Sequence, residues 1–157
     1  MSNKLLSMNV RPVLPTDRAE WLRLLGGLYH HHLESEHIAD VDAFFAGQRA
    51  GRPPLAAVLV CARPEGGLAG FLELSVREYA EGCAGPTPYV ESWFVDPDGR
   101  GLGIGGRLMR AAESWAREKG YRELASDTLL DNEQSLESHR ALGFEEVERS
   151  IHLKKSL

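Results

Sequence analysis

Only two cysteines, Cys61 and Cys83, occur in the 157 residues. Two thiols cannot form a disulfide framework, and their spacing fits no zinc-ligand pattern. Long apolar runs are missing too: none approaches the ~20 residues that a membrane helix requires. Met1-Ser2-Asn3-Lys4-Leu5-Leu6 contains no apolar stretch long enough for a secretory signal. These absences point to a cytoplasmic protein with no membrane partner. Basic residues are scarce, 18 Lys and Arg against 23 Asp and Glu, for a net charge of −5. Nucleic acid needs a basic face and is excluded as a partner, whereas a cationic ligand suits the balance. Repeats, low-complexity tracts and linkers are lacking. The length allows one core, so residues 1–157 are expected to form a single domain.

What the chain does have is a glycine-dense loop, Arg100-Gly101-Leu102-Gly103-Ile104-Gly105-Gly106. It follows the apolar run 89–95 and opens an amphipathic stretch. Such a loop turns free backbone N–H groups toward one point, backed by the positive end of a helix dipole. Phosphate binds there, and the glycines allow close approach. A P-loop is excluded, because Arg107-Leu108 stands where Lys and Ser or Thr are required. A dinucleotide fingerprint places its glycines in the first βα turn, with an acid about 20 residues on; here they come after several strands and with different spacing. A merely flexible turn is the remaining alternative, although its place between strand and helix patterns speaks against it.

The periodicity predicts a strand over 9–14 and a helix from Thr16-Asp17 to about Tyr29, with Glu20 closing a capping box. A second helix falls within 30–52. Strands are expected at 55–62 and 68–79, forming a hairpin through Pro64-Glu65-Gly66-Gly67. A strand at 89–95, the glycine loop and a helix over 103–119 follow, the latter with a core stripe of Ile104, Leu108, Ala111, Ala112 and Trp115. Strand 121–127, a helix capped by Asp131-Asn132, and a last strand over 145–154 complete the chain.

Arg100, Gly103 and Gly105 match the Arg/Gln-x-x-Gly-x-Gly/Ala signature, and the loop resembles motif A of the GNAT N-acetyltransferase superfamily. The order β-α-α-β-β-β-α-β-α-β is also that of a GNAT domain. The resemblance implies an α/β fold (α+β by segregation), with a mixed central sheet of about six or seven strands flanked by four helices. It further implies that Gly101, Leu102, Gly103, Ile104, Gly105 and Gly106 hold the pyrophosphate of acetyl-CoA. Strands 89–95 and 121–127 would splay apart, and backbone groups of Trp93, Phe94 and Val95 would pair with the pantetheine arm. Asn132 would bond that arm, cap its helix, or do both.

Glu123-Leu124-Ala125-Ser126-Asp127, Leu130-Asp131-Asn132, Ser135, His139 and Leu142 to Arg149 look very similar to the aminoglycoside 6′-N-acetyltransferases. That likeness places Tyr29, His32, Tyr79, Glu91, Asp127 and Glu148 on the substrate side. It implies a cationic aminosugar as substrate and a homodimer with the C-terminal strand at its interface. The residues support a polycation. Glu91 is read on one face with Tyr89 and Trp93, in apolar sequence where an unpaired carboxylate is costly. Asp127 ends its strand at the usual crevice position. Glu148 faces opposite to Val147, Ile151 and Leu153. Converging acids raise one another's pKa, and an ammonium sugar relieves the repulsion.

For the chemistry, Glu91 or Asp127 would deprotonate the amine, directly or through water. A strand N–H near Phe94 or Val95 would hold the oxyanion. His139 stands where many GNAT enzymes carry a Tyr that protonates the leaving thiolate, and an imidazole can donate that proton. His30-His31-His32 implies no metal, because consecutive helical side chains point about 100° apart. Two other readings stay open: acetylation of polyamines, other small amines or peptide N-termini, and a non-enzymatic acyl-CoA sensor module.

Overall fold

The computed structural model describes residues 7–32, 34–48 and 54–157. The strands are β1 (Asn9–Pro12), β2 (Leu55–Ala62), β3 (Leu68–Arg77), β4 (Thr87–Val95) and β5 (Ala125–Ser126). The helices are α1 (Arg18–Leu28), α2 (Glu34–Phe45), α3 (Ile104–Glu118) and α4 (Glu133–Ala141). One five-stranded sheet runs in the order β1-β2-β3-β4-β5. The first four strands are antiparallel, and β5 joins β4 in parallel. Among the described residues the α/β architecture and the four helices are as expected, and the sheet is smaller than the six or seven strands anticipated.

The missing strand is the C-terminal one. Residues 145–157 carry no regular structure, and Val147, Ile151 and Leu153 are 63%, 80% and 91% exposed. A strand needs an edge to pair with, and the two-residue β5 offers none of matching length. The expected strand at 121–127 is correspondingly reduced to Ala125–Ser126. The helix within 30–52 is confined to Glu34–Phe45, and residues 49–52 lie outside the described residues.

Both faces of the sheet are covered. On one side Leu59, Cys61, Leu72, Leu74 and Val90 meet Ile104, Leu108, Met109 and Ala112 of α3. On the other Val58, Val60 and Phe71 meet Trp21, Leu24 and Leu25 of α1 and Val41 of α2. Alternation sends odd and even strand residues to different helices, so the strands read as nearly continuous apolar runs. The capping box foreseen for α1 does not form. Asp17 is held by Arg11 at 2.6 and 3.0 Å and by the Leu14 N–H at 2.8 Å, while Glu20 binds Arg23 and the Leu68 N–H. A guanidinium within reach offers the carboxylate stronger, charge-assisted bonds than the helix amides do.

A β-bulge interrupts the β3–β4 ladder. Glu73 pairs with Ser92 and Leu74 with Val90, leaving Glu91 as the extra residue. The insertion overturns the expectation that Glu91 shares a face with Trp93. Glu91 bonds Ser75 and Arg77, whereas Trp93 packs against the α3-side core. A bulge advances the side-chain alternation by one residue, which plain period-2 counting misses.

Close strand packing above the bulge depends on Gly70, where an added Cβ would sit 2.7 Å from the Phe94 carbonyl oxygen. Gly70→Ala is expected to destabilise the fold by about 1–3 kcal/mol, because the obstructing atom is backbone. Urea unfolding checks this; a midpoint equal to the parent's would mean that the strands yield freely.

Candidate active site

Beyond β4 the chain turns through Pro97–Gly99 into the glycine loop, where Gly101 and Gly103 adopt left-handed φ of 75° and 76°. Only glycine takes such angles without strain. The first bond recorded at this end of α3 runs from the Arg107 N–H to the Gly103 carbonyl, and no side chain caps the helix. The amides of Ile104, Gly105 and Gly106 therefore precede the helical ladder, at the positive end of the dipole. The space at Gly101 and Gly103 is open, with nothing within 4 Å of an added Cβ. Arg100 folds back onto the Val95 carbonyl at 3.1 Å and lies 5.6 Å from the Phe94 ring centroid. The loop thus has the geometry of an anion cradle and suits a diphosphate.

The neighbouring strands part as a pantetheine groove would require. β4 and β5 pair only at Tyr89↔Ala125 and Val90↔Ser126, so the β4 edge from Glu91 to Val95, with Trp93 and Phe94, lacks a β5 partner. Asn132 accepts the Ser135 N–H at 3.1 Å, which makes it the N-cap of α4. His139 is buried between Trp93 and Phe144. Its Nδ1 lies 2.7 Å from the Ser135 carbonyl, so that nitrogen donates, and its Nε2 lies 2.8 Å from Ser126 Oγ. Any proton leaving the ring therefore meets Ser126 first.

The acids are not the converging trio foreseen. Glu91 is fully engaged, accepting from Ser75 Oγ at 2.5 Å and from Arg77 at 2.9 and 2.8 Å. Arg77 also stacks 3.5 Å over the Tyr89 ring. Burial pushes the Tyr89 phenol up to about 12, with the charge and hydrogen bond of Asp127 adding to the shift. Glu91, Arg77, Tyr89 and Asp127 thus form one cluster. Glu148 belongs to another: Glu81, by charge and hydrogen bonding, raises its pKa, and Tyr79 donates to Glu81 at 2.5 Å. Both Tyr79 and Glu148 are exposed.

Tyr29 and His32 are brought together, stacked at 5.0 Å between centroids, with His37 5.7 Å from His32. The Tyr29 hydroxyl lies 2.7 Å from Ser92 Oγ and donates to the Glu91 carbonyl at 3.3 Å. Among the described residues, no group of three or more His, Cys, Asp or Glu could hold a metal ion. No described helix is long and apolar enough to cross a membrane.

Sequence reasoning missed Glu73. It sits in mid-β3, 7% exposed, and accepts from Trp21 Nε1 at 2.9 Å. With Glu91, Ser92 and Tyr29 it lines a cavity of about 530 Å³ between α1, α2 and the sheet. Burial raises its carboxyl to about 7, offset in part by hydrogen bonds from Ser92 and Trp21 and reinforced by Asp40 and Glu91. The signal was available in Leu68–Arg77, where Glu73 is the one acid and follows the apolar run Leu68 to Leu72.

The acetyltransferase (GNAT) family model matches residues 19–144, and the chain belongs to that family. It is 44% identical over 149 residues to an aminoglycoside N(6′)-acetyltransferase type 1 of Klebsiella aerogenes, covering 94% of this chain and 96% of that enzyme. A namesake from Stenotrophomonas maltophilia is 34% identical over 155 residues, 94% of this chain and 93% of the other. Among solved structures, AAC(6′)-Iy in complex with the bisubstrate analogue CoA-S-monomethyl-acetylneamine superposes with a TM-score of 0.84 at 34% identity, covering 96% of this chain and 99% of that one. AAC(6′)-Ih from Acinetobacter baumannii gives 0.81 at 32% identity, covering 96% and 99%.

The Glu73 shift has a consequence for stability. Its pKa rises from 4.5 to about 7 on folding. Between those values the folded state binds more protons than the unfolded, so stability falls as pH rises through this window and levels off above it. Glu73→Gln removes the effect. Relative to the parent, the variant is expected to gain on the order of 3 kcal/mol between about pH 5 and pH 8. Denaturant unfolding at both pH values measures it; parallel pH dependences would exclude a buried titrating carboxyl.

Proposed function

We propose that this chain transfers the acetyl group of acetyl-CoA to the 6′-amine of aminoglycoside antibiotics, by direct attack of the amine on the thioester. One observation carries the reading: the unpaired β4 edge beyond Val90 and Ser126 opens beside two carboxylates, Glu91 on β4 and Asp127 just after β5. The names of the relatives, aminoglycoside acetyltransferases matched along nearly their full length, support the same substrate.

The residues fit acetyl-CoA, which supplies an activated thioester carbonyl. In this reading the amides of the loop Gly101 to Gly106 take its diphosphate, with Leu102 and Ile104 within that cradle. Backbone groups of Trp93, Phe94 and Val95 take the arm at the open edge. Asn132 already spends its carbonyl oxygen on the helix cap, which leaves its amide to bond the arm. Glu91, oriented by Arg77 and Ser75, and Asp127, beside Tyr89, attract and align the ammonium. Tyr29 and His32 offer stacked rings to a sugar, and Tyr79 and Glu148 form an outer acidic rim. An N–H near Phe94 or Val95 stabilises the oxyanion. His139 supplies the thiolate proton through Ser126.

The molecule acts in the cytoplasm as one domain over residues 1–157 and as a homodimer. The exposed row of Val147, Ile151 and Leu153 supports the dimer, because a strand without an edge in its own chain finds one on a second copy.

Thiol release from acetyl-CoA with kanamycin, spermine and a peptide in parallel tests the assignment. Kanamycin is expected to be preferred; a preference for spermine or peptide would overturn the antibiotic substrate, and binding without turnover on any amine would favour a sensor. Asp127→Asn should weaken aminoglycoside affinity about tenfold, on the order of 1.4 kcal/mol, with acetyl-CoA affinity little changed. Calorimetry giving the reverse would put Asp127 on the wrong side of the site. Ile151→Asp with Leu153→Asp should convert a sedimenting dimer to monomer; a parent that is itself monomeric would remove the interface.

A further inference from the structure

The amine must lose a proton before it can attack, and the two carboxylates nearest the open edge are occupied. Glu91 accepts from Ser75 and twice from Arg77. Asp127 is exposed and hydrogen-bonded with Tyr89. Both carboxylates thus already spend acceptor positions on Ser75, Arg77 and Tyr89, which fixes them as anchors for an ammonium. A different group has the opposite surroundings. Glu73 is buried, accepts from the neutral donors Trp21 and Ser92, pairs with no cation among the described residues, and lines the cavity beside Glu91 and Ser92.

We propose that Glu73 accepts the proton released by the substrate ammonium, delivered through the hydroxyl of Ser92. The geometry is continuous. Ser92 hydrogen-bonds Glu73 on one side and lies 2.7 Å from Tyr29 Oη on the other, and all three residues line the same cavity. Ser92 follows the bulged Glu91, so the relay starts one residue from the ammonium anchor. Trp21 Nε1, at 2.9 Å from Glu73 Oε1, fixes the carboxyl in place. The groups facing Glu73 are Trp21 and Tyr29 from the α1 side, His37 and Asp40 from α2, and Glu91 and Ser92 from β4. Among these the two acids oppose a second negative charge, which favours proton uptake. A carboxyl poised near neutrality, as burial makes this one, suits a general base at working pH.

The step balances. The ammonium N–H proton passes to Ser92 Oγ as the serine's own proton passes to Glu73, which becomes a neutral carboxyl. The freed lone pair forms the C–N bond to the thioester carbon, the C–S bond breaks, the thiolate takes its proton from His139 through Ser126, and the remaining extra amine proton replaces it on His139. Glu73 then returns its proton to water through the cavity. Glu73 works through Ser92, so it is a positioning and proton-storing group rather than one in contact with substrate.

The inference rests on the acetyltransferase reading, and the pH dependence of kcat with saturating kanamycin and acetyl-CoA separates the two. The parent should show an acid limb near pH 7. Glu73→Gln, which keeps the shape and an acceptor for Trp21, should lower kcat about 10²-fold and abolish that limb. Ser92→Ala should lower kcat similarly, and Ser92→Thr should restore the limb, so the result stands even if Glu73→Gln fails to fold. A folded Glu73→Gln variant with the parental limb, or Ser92→Ala with parental kcat, overturns the relay alone. A parent that acetylates no amine overturns the acetyltransferase reading and the relay together.

Discussion

Much of this structure depends on a single inserted residue. Glu91 has no partner in the β3–β4 ladder, and the alternation of β4 shifts at that point. Without the shift, Trp93 and Val95 would leave the α3-side core, and Ser92 and Phe94 would leave the α1 side. The bulge lies one residue past Val90, where pairing with β5 also ends. One local irregularity therefore sets which side chains fill each core and where a carboxylate projects, beside the point where the sheet opens. Bulges next to sites of chemistry commonly re-aim side chains in this way.

The same neighbourhood holds two carboxylates in opposite electrostatic settings. Glu91 is charge-paired and partly accessible, whereas Glu73 is buried and, among the described residues, held by neutral donors, Trp21 and Ser92. They stand on adjacent strands of one sheet face, and their separation in character comes from Arg77, which reaches the first and not the second. Burial raises the proton affinity of Glu73, while Arg77 and Ser75 fix the orientation of Glu91 beside it.

The glycine loop and the helix behind it could be read from residues alone, because glycine spacing and a 3.6-residue stripe are local signals. The family assignment that they support agrees with the match over residues 19–144. Long-range features were less legible. The face of Trp93 depended on a bulge, and the state of Glu91 on Arg77 across the ladder, neither of which leaves a mark in periodicity. The strand anticipated over 145–154 has the correct alternation and no edge to join, a condition that concerns neighbours rather than sequence. Glu73 was legible and overlooked: the argument applied to Glu91, an acid within apolar sequence, holds more strongly for it.

Gly82 draws these parts together. An added Cβ there would lie 2.8 Å from Val147 Cγ1, so the tail is seated directly on the loop that follows Tyr79 and Glu81. Anything that grips the tail also bears on the loop that carries Tyr79 and Glu81. With the proposed dimer formed through this tail, self-association and ligand affinity would be thermodynamically coupled, each altering the other by the same factor. Apparent dissociation constants would in that case vary with how much protein is in the tube.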